Sequence, residues 1–476
     1  MAKNSLAMGM VQFISQLSTL VLAMVLSVKL VDDYPTYTSA FSVATVLFLI
    51  ADLGLGTKMV IDVAQNRDIA GRKLSSILTI RGTLGTVAVI LTLGFVLISD
   101  LPSDVAFAYL VIALSNLLGW IAQTFTSMFT AFEKMHYVFM TYLVERMFTV
   151  STAIALVIMG YGLATVVMVV LTGSLLYAIL SYTVCSRLIV KPSKEIRFRD
   201  IKADLKGATP FAINVALVST LYSINGFLLL SIIGGLDGLS AGQAANNQFV
   251  VAFNLVAALI AVPTVFRTAL LPVIARLFGS SKEMTKLAQQ KIMKYMYSLG
   301  LPMTLGGTIL AHQIIGLLFP DRPESAVVLQ ILLPVLAISY FGTGQGSLLA
   351  AANLMHLSTI SSVAGAAANL LICFLAIPAW GALGAALAFT VATLITNVIS
   401  HYFMSRRVVH LKVSDIILRP TLAGLGMAFV LIMLPWDNLL LSIITGAAVY
   451  LLLLFALKAV DQEDIEIFRK VLKKGA

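Results

Sequence analysis

The sequence is poor in charge. Asp, Glu, Lys and Arg make up 11% of its 476 residues, while apolar residues make up 59%; soluble domains carry roughly 25% charge. A water-soluble fold of this length is excluded, because too few polar side chains exist to cover it. Cysteine is also scarce. Cys185 and Cys373 are the only two, too few and too far apart for a disulfide framework or a paired-cysteine metal site. The five histidines are scattered and give no ligand spacing. Alternating ten-residue segments are missing, which excludes a transmembrane barrel.

What the chain has instead is long continuous apolar runs. With about 20 residues needed per crossing, they predict spans at 6–31, 37–60, 76–98, 105–131, 138–160, 163–184, 209–233, 243–272, 291–318, 325–350, 358–378, 382–404, 418–435 and 439–458. The predicted fold is therefore all-α and polytopic, with about 14 transmembrane helices. Lys3 precedes the first run, which is too long for a signal-peptide core, so it is expected to be the first span. The longest hydrophilic stretch, Lys191 to Pro210, separates six spans from eight. It reads as an amphipathic linker over 185–208, with Thr209 and Pro210 opening span seven.

The charges are sorted between loops. Those on the N-terminal side hold 22 Lys and Arg, while the opposite loops hold one, Arg322, and eight acids. By the positive-inside rule both termini are expected in the cytoplasm, with the protein in the inner membrane. The net charge of +10 follows from these inner loops and not from a nucleic-acid partner.

Intramembrane polar groups are costly and mark function. Asp52 and Glu145 are the carboxylates within the predicted spans, and Arg81, Arg146 and Arg267 the deep cations. All five fall in the cytoplasmic half by helix rise. They outline a cationic cavity able to receive an anionic headgroup; alternatively Asp52 pairs with Arg81 and Glu145 with Arg267 as staples between helices. Gln12, Gln16 and Thr19 share one face of span one, and Asn116, Gln123, Ser127 and Thr130 share one face of span four. Asn214 and Asn225 in span seven, Asn254 in span eight and Thr393, Asn397 and Ser400 in span twelve extend this polar set, whose amide and hydroxyl chemistry suits sugars. Ser280 to Glu283 reads as a capping box opening a water-exposed start to span nine. Gly342 to Ser347 reads as helix packing or a hinge, and Pro302, Pro334 and Pro378 as sites of kinking.

Ile50-Ala-Asp-Leu-Gly-Leu-Gly56 followed by Leu78-Thr-Ile-Arg81 resembles the N-terminal signature of Wzx-like polysaccharide exporters of the multidrug/oligosaccharidyl-lipid/polysaccharide (MOP) exporter superfamily. Phe266 to Arg276, Leu348 to Asn353, Ala368 to Leu371, Ile377 to Gly381 and Gly384 to Ala386 are similar to the same family. The resemblance implies two six-helix lobes, 1–184 and 209–404, two extra helices over 405–458 and a cytoplasmic tail over 459–476. It also implies alternating access for a polyprenyl-phosphate-linked oligosaccharide. Arg81, Arg267 and Arg146 with Gln12, Gln16, Asn116, Gln123, Asn214, Asn225 and Asn254 would then bind substrate, and Asp52 or Glu145 would couple an ion. Expected partners are membrane lipids and glycan-assembly proteins; no cofactor or metal is expected. A multidrug or small-solute antiporter is the alternative. A membrane glycosyltransferase is weaker: Asp32 and Asp33 are adjacent, and the outer loops leave no room for an acceptor.

Overall fold

A computed structural model describes residues 2–52, 54–193, 201–205, 224–352, 354–434 and 438–457. Within these residues the chain is helical throughout. Twelve helical stretches, Ser325–Ala351 taken as one, are long and apolar enough to cross a membrane. In chain order, α1 (Ala2–Lys29), α2 (Tyr34–Asp52), α3 (Leu55–Gln65), α4 (Ala70–Ile98), α5 (Ser103–Ala131), α6 (Met135–Ile158) and α7 (Leu163–Leu188) precede the linker and are called the first bundle, and the helices after it the second. Next come α8 (Ile224–Asp237), α9 (Leu239–Ser280), α10 (Lys282–Leu318), α11 (Ser325–Leu332), α12 (Pro334–Phe341), α13 (Gln345–Ala351), α14 (Met355–Trp380) and α15 (Ala382–Arg407). Two last helices, α16 (Val413–Met433) and α17 (Leu439–Ala456), pack on each other and on α10. The helix α2 and the shorter α8 occupy the positions of the remaining two predicted spans. Thr209, Pro210 and the tail over 459–476 lie outside the described residues.

Span two is shorter than expected. The chain breaks after Asp52, passes Gly54 at φ 66°, and restarts as α3. This helix buries Leu55, Met59 and Val63 at four-residue spacing and holds Lys58 and Asp62 together as an ion pair, the pattern of a helix lying along an interface. Asp52 is thus at the end of α2, not two turns inside a longer span.

Span ten is broken as well. Pro334 cannot donate a backbone hydrogen bond, so α11 gives way to α12. Thr304 of α10 covers the break: its Oγ1 donates to the Leu333 carbonyl at 3.2 Å and accepts from the Ala337 amide at 3.1 Å. Thr390 donates to the Ile331 carbonyl at 2.7 Å. A second break follows at Gly342–Gly344, where Gly344 adopts φ 86° and Gln289 donates to the Thr343 carbonyl at 3.2 Å. The Gly342–Ser347 stretch, expected to serve helix packing or as a hinge, thus interrupts the helix, and side chains satisfy the backbone at both breaks, as lipid requires. The cap of α10 is Ser281, one residue later than the capping-box reading, with its hydroxyl accepting from the Met284 amide at 3.3 Å.

The near end of the bundle carries the start of α1, and the far end carries the α1–α2 turn. At the far end one apolar core runs through both bundles, joining Leu22, Leu26 and Tyr34 to Phe249, Val256 and Phe319. Arg322 donates there to the Val31 carbonyl, tying the two bundles. At the near end each bundle keeps its own core: Leu55, Met59, Leu74 and Phe129 in the first, and Ile274, Met293, Leu348 and Met404 in the second. Among the described residues no apolar cluster joins the bundles at that end. The linker is fastened to the first bundle instead, where Lys73 pairs with Asp62 and Asp204, and Ser76 donates to Asp204 at 2.7 Å.

Candidate functional site

Two cavities meet between the helices. One, of about 330 Å³, lies between the bundles and is lined by α1, α2, α6, α8 and α9, with Thr19, Tyr34, Ser42, Phe253 and Asn254 among its walls. The other, of about 280 Å³, is enclosed by α1, α2, α5, α6 and α7 and includes Asn116, Trp120, Gln123, Glu145 and Thr149. Leu22, Tyr37, Phe41 and Arg146 belong to both. Arg146 therefore stands at the junction.

Its environment follows from the helical spacing of α6. Tyr142, one turn earlier, accepts a hydrogen bond from Arg146 Nε at 2.7 Å and donates its own proton to Ser15 Oγ on α1 at 2.6 Å. Glu145 lies 3.6 Å from the same nitrogen. Thr149, one turn later, donates to Glu145 Oε1 at 3.0 Å. The side-chain nitrogen nearest the backbone is thus committed, and among the described residues no hydrogen bond engages the terminal pair. A guanidinium held this way suits two-point contact with a phosphate.

Arg81 occupies a different place. It is 1% exposed and lines neither cavity. Its guanidinium sits over the Trp120 ring at 5.2 Å and donates to Thr124 Oγ1 at 3.1 Å and to the Trp120 carbonyl at 3.5 Å. In this conformation it fixes a cavity wall from behind. Glycine at position 56 makes room for it, since a Cβ there would lie 2.9 Å from Arg81 Nη2.

The amides divide in the same way. Asn116, Gln123 and Asn254 line the cavities. Asn225, expected among the substrate residues, is fully buried in the second bundle: it donates to the Ala385 carbonyl at 3.3 Å and accepts from Asn369 Nδ2 at 2.7 Å. It is an interhelical clamp here, as buried amides in membrane bundles commonly are. Gln12 and Gln16 are half-buried on α1 and line neither cavity. Asn214 and the side chains of Asp52 and Arg267 lie outside the described residues, so the expected Asp52–Arg81 and Glu145–Arg267 pairings do too.

The aromatic walls, Tyr34, Tyr37, Phe41, Trp120 and Phe253, were not singled out by the sequence. In a chain with 25 Phe, 14 Tyr and 3 Trp, an aromatic facing a cavity and one facing lipid share the same pattern. Asp32 and Asp33 fall in the short turn between α1 and α2, and no group of three potential metal ligands occurs among the described residues.

A family model described as "Polysaccharide biosynthesis protein" matches residues 1–278. No curated protein matches the chain in sequence. Among solved structures, the chain is similar to the lipid II flippase MurJ in an inward closed conformation, with TM-score 0.73 and 15% identity over 95% of this chain and 98% of that one. It is also similar to a MOP superfamily transporter from Pyrococcus furiosus, with TM-score 0.61 and 15% identity over 86% and 96% of the two chains. A multidrug resistance MATE family transporter in its outward-facing conformation has TM-score 0.58 and 14% identity over 86% and 96%. The shared feature is the fold.

Proposed function

The chain belongs to the polysaccharide biosynthesis protein family, and from that premise we propose that it carries a lipid-linked saccharide across the membrane by alternating access. The observation behind this reading is Arg146, at the junction of two cavities whose other walls are aromatic, hydroxyl and amide groups. Those are the surfaces that a phosphate flanked by sugar needs. The closed far end and the separate near-end cores fit a substrate that enters from the near side. The 22-to-1 sorting of cations supports taking that side as the cytoplasm. The inner membrane, the polyprenyl diphosphate carrier and contact with glycan-assembly proteins complete the reading.

The experiment is transport in proteoliposomes of a short-chain polyprenyl diphosphate oligosaccharide, with its arrival read by an impermeant glycosidase. Arg146→Ala lowers the rate about tenfold to a hundredfold, as loss of a ~1.5–3 kcal/mol hydrogen bond to charge requires, while the protein stays folded. Unchanged transport in that variant would count against the reading. A second reading, export of organic cations, is favoured by Glu145 among Tyr37, Phe41 and Trp120, since aromatic faces attract cations. Efflux of a cationic dye by the same vesicles, without saccharide transport, would select it.

A further inference from the structure

The second bundle contains a cavity of its own, about 220 Å³ in volume, enclosed by α9, the end of α12, α13, α14 and α15. Among the described residues no charged side chain lines it. Its polar lining includes Ser339, Gln345, Ser358, Ser362, Thr393 and Asn397. Several lining groups have already spent a proton along their own helices. Thr393 donates to the Phe389 carbonyl at 2.8 Å, Thr396 to Ala392 at 2.9 Å, Ser362 to Ser358 at 3.2 Å, and Asn397 Nδ2 to Thr393 at 2.9 Å. What these four groups offer a ligand is mainly acceptor oxygen, beside the hydroxyls of Ser339 and Ser358.

Gln345 is the exception. It is 1% exposed, and among the described residues neither its Oε1 nor its Nε2 has a hydrogen-bond partner. An amide buried without partners is costly, because its lost water contacts are not replaced. The break at Gly342–Gly344 places Gln345 at the start of α13 and in the cavity wall. Gly344, at φ 86° and with Gln289 Oε1 2.8 Å from where a Cβ would lie, leaves no room for a larger residue in that turn.

We propose that this cavity is a saccharide subsite, in which Gln345 recognises one uncharged, hydroxyl-rich sugar ring by donating and accepting at once. The proposal rests on the saccharide-transport reading and locates the sugar within it. A sugar hydroxyl donates to the acceptor oxygens and accepts from the Gln345 amide, which neither an anion nor an aliphatic chain can do. The volume suits one ring, since sites for drug-sized ligands run from roughly 300 Å³ upward. The partition from the interlobe cavity is a pair of aromatic rings. Phe253 lines that cavity and Phe389 this one, edge to face at 5.3 Å and 88°. Asn254 and Ile260, facing the two cavities from one helix, are six residues and so about 9 Å apart along α9.

The test is equilibrium binding to detergent-solubilised full-length protein of two probes: a short-chain polyprenyl diphosphate, and the same lipid bearing one sugar, tried as glucose, galactose and N-acetylglucosamine. Wild type is expected to bind at least one sugar-bearing probe about tenfold more tightly than the bare lipid. Gln345→Leu removes that increment and leaves bare-lipid affinity unchanged, which also reports that it is folded. Thr393→Val, which preserves shape, reduces the increment partially. Arg146→Ala weakens both probes equally. An undiminished increment in Gln345→Leu overturns the subsite. Equal binding of all probes by wild type overturns the subsite and leaves the transport reading standing; binding of none overturns both.

Discussion

The guanidinium of Arg81 lies 5.2 Å over the ring of Trp120 and donates to the Trp120 carbonyl and to Thr124 one turn further on. A buried cation thus holds an aromatic wall of the first-bundle cavity from the side away from that cavity. Desolvated contacts of this kind are worth about 2 kcal/mol. Arg81→Ala is expected to lower thermal stability and to loosen Trp120, seen as a red shift of its fluorescence once Trp380 and Trp436 are replaced by Phe. Gly56→Leu, which drives a side chain into the same guanidinium, gives the same shift with Arg81 intact. An unshifted spectrum in both variants would show that the wall stands without Arg81.

Arg322 and the Val31 carbonyl close the far end. Because the tip of the long Arg322 side chain makes this contact, cysteines at both positions, Val31→Cys with Arg322→Cys, should be bridged by a short bis-methanethiosulfonate reagent and reduce transport to background, with recovery on reduction. The native cysteines Cys185 and Cys373 are buried, so the background is low. Full transport by the cross-linked protein would mean that the far end does not need to open.

Asn225 and Asn369 clamp α8 to α14. Removing one partner strands the other, so Asn225→Leu is expected to cost about 1–2 kcal/mol, near the upper end of interhelical bonds in membranes. The double variant with Asn369→Leu should recover part of that loss. Strict additivity in unfolding measurements would show that the two amides do not interact.

Burial works against the Asp62 carboxylate, but hydrogen bonds and charge from Lys58 and Lys73 outweigh it and hold its pKa below the ordinary value. A depressed acid stabilises the folded state above its unfolded pKa and loses that contribution as pH falls through the lower, folded value. Since Lys73 also pairs with Asp204, the linker is expected to stay protease-resistant at neutral pH and to become cleavable as acid protonates Asp62. Asp62→Asn should show the increased cleavage already at pH 7. Cleavage independent of pH in the wild type would detach Asp62 from the docking.

Helix existence was legible because burial in lipid is a local property of composition: a run such as 105–131 needs no partner to announce itself, and α5 covers Ser103–Ala131. Arg146 and Glu145 were legible as functional candidates because charge is expensive in a membrane wherever it points. Hydroxyls and amides are not expensive in this way. Thr393 can bond its own helix and face lipid, a neighbour or a cavity at nearly equal cost, so its role stayed open until α9, α13 and α14 were seen around it.

The sequence by itself determined an all-helical membrane protein, its sorted loop charge and the small set of buried ions. Tertiary structure decided which ions face a cavity: Arg146 does, while Arg81 stands behind Trp120. It also turned Gly342–Gly344 from a hinge into the means of seating Gln345. The reason is physical. Hydrophobicity selects where a helix lies along the membrane normal, residue by residue, but its rotation and the gaps it leaves depend on side chains packed from helices far away in sequence.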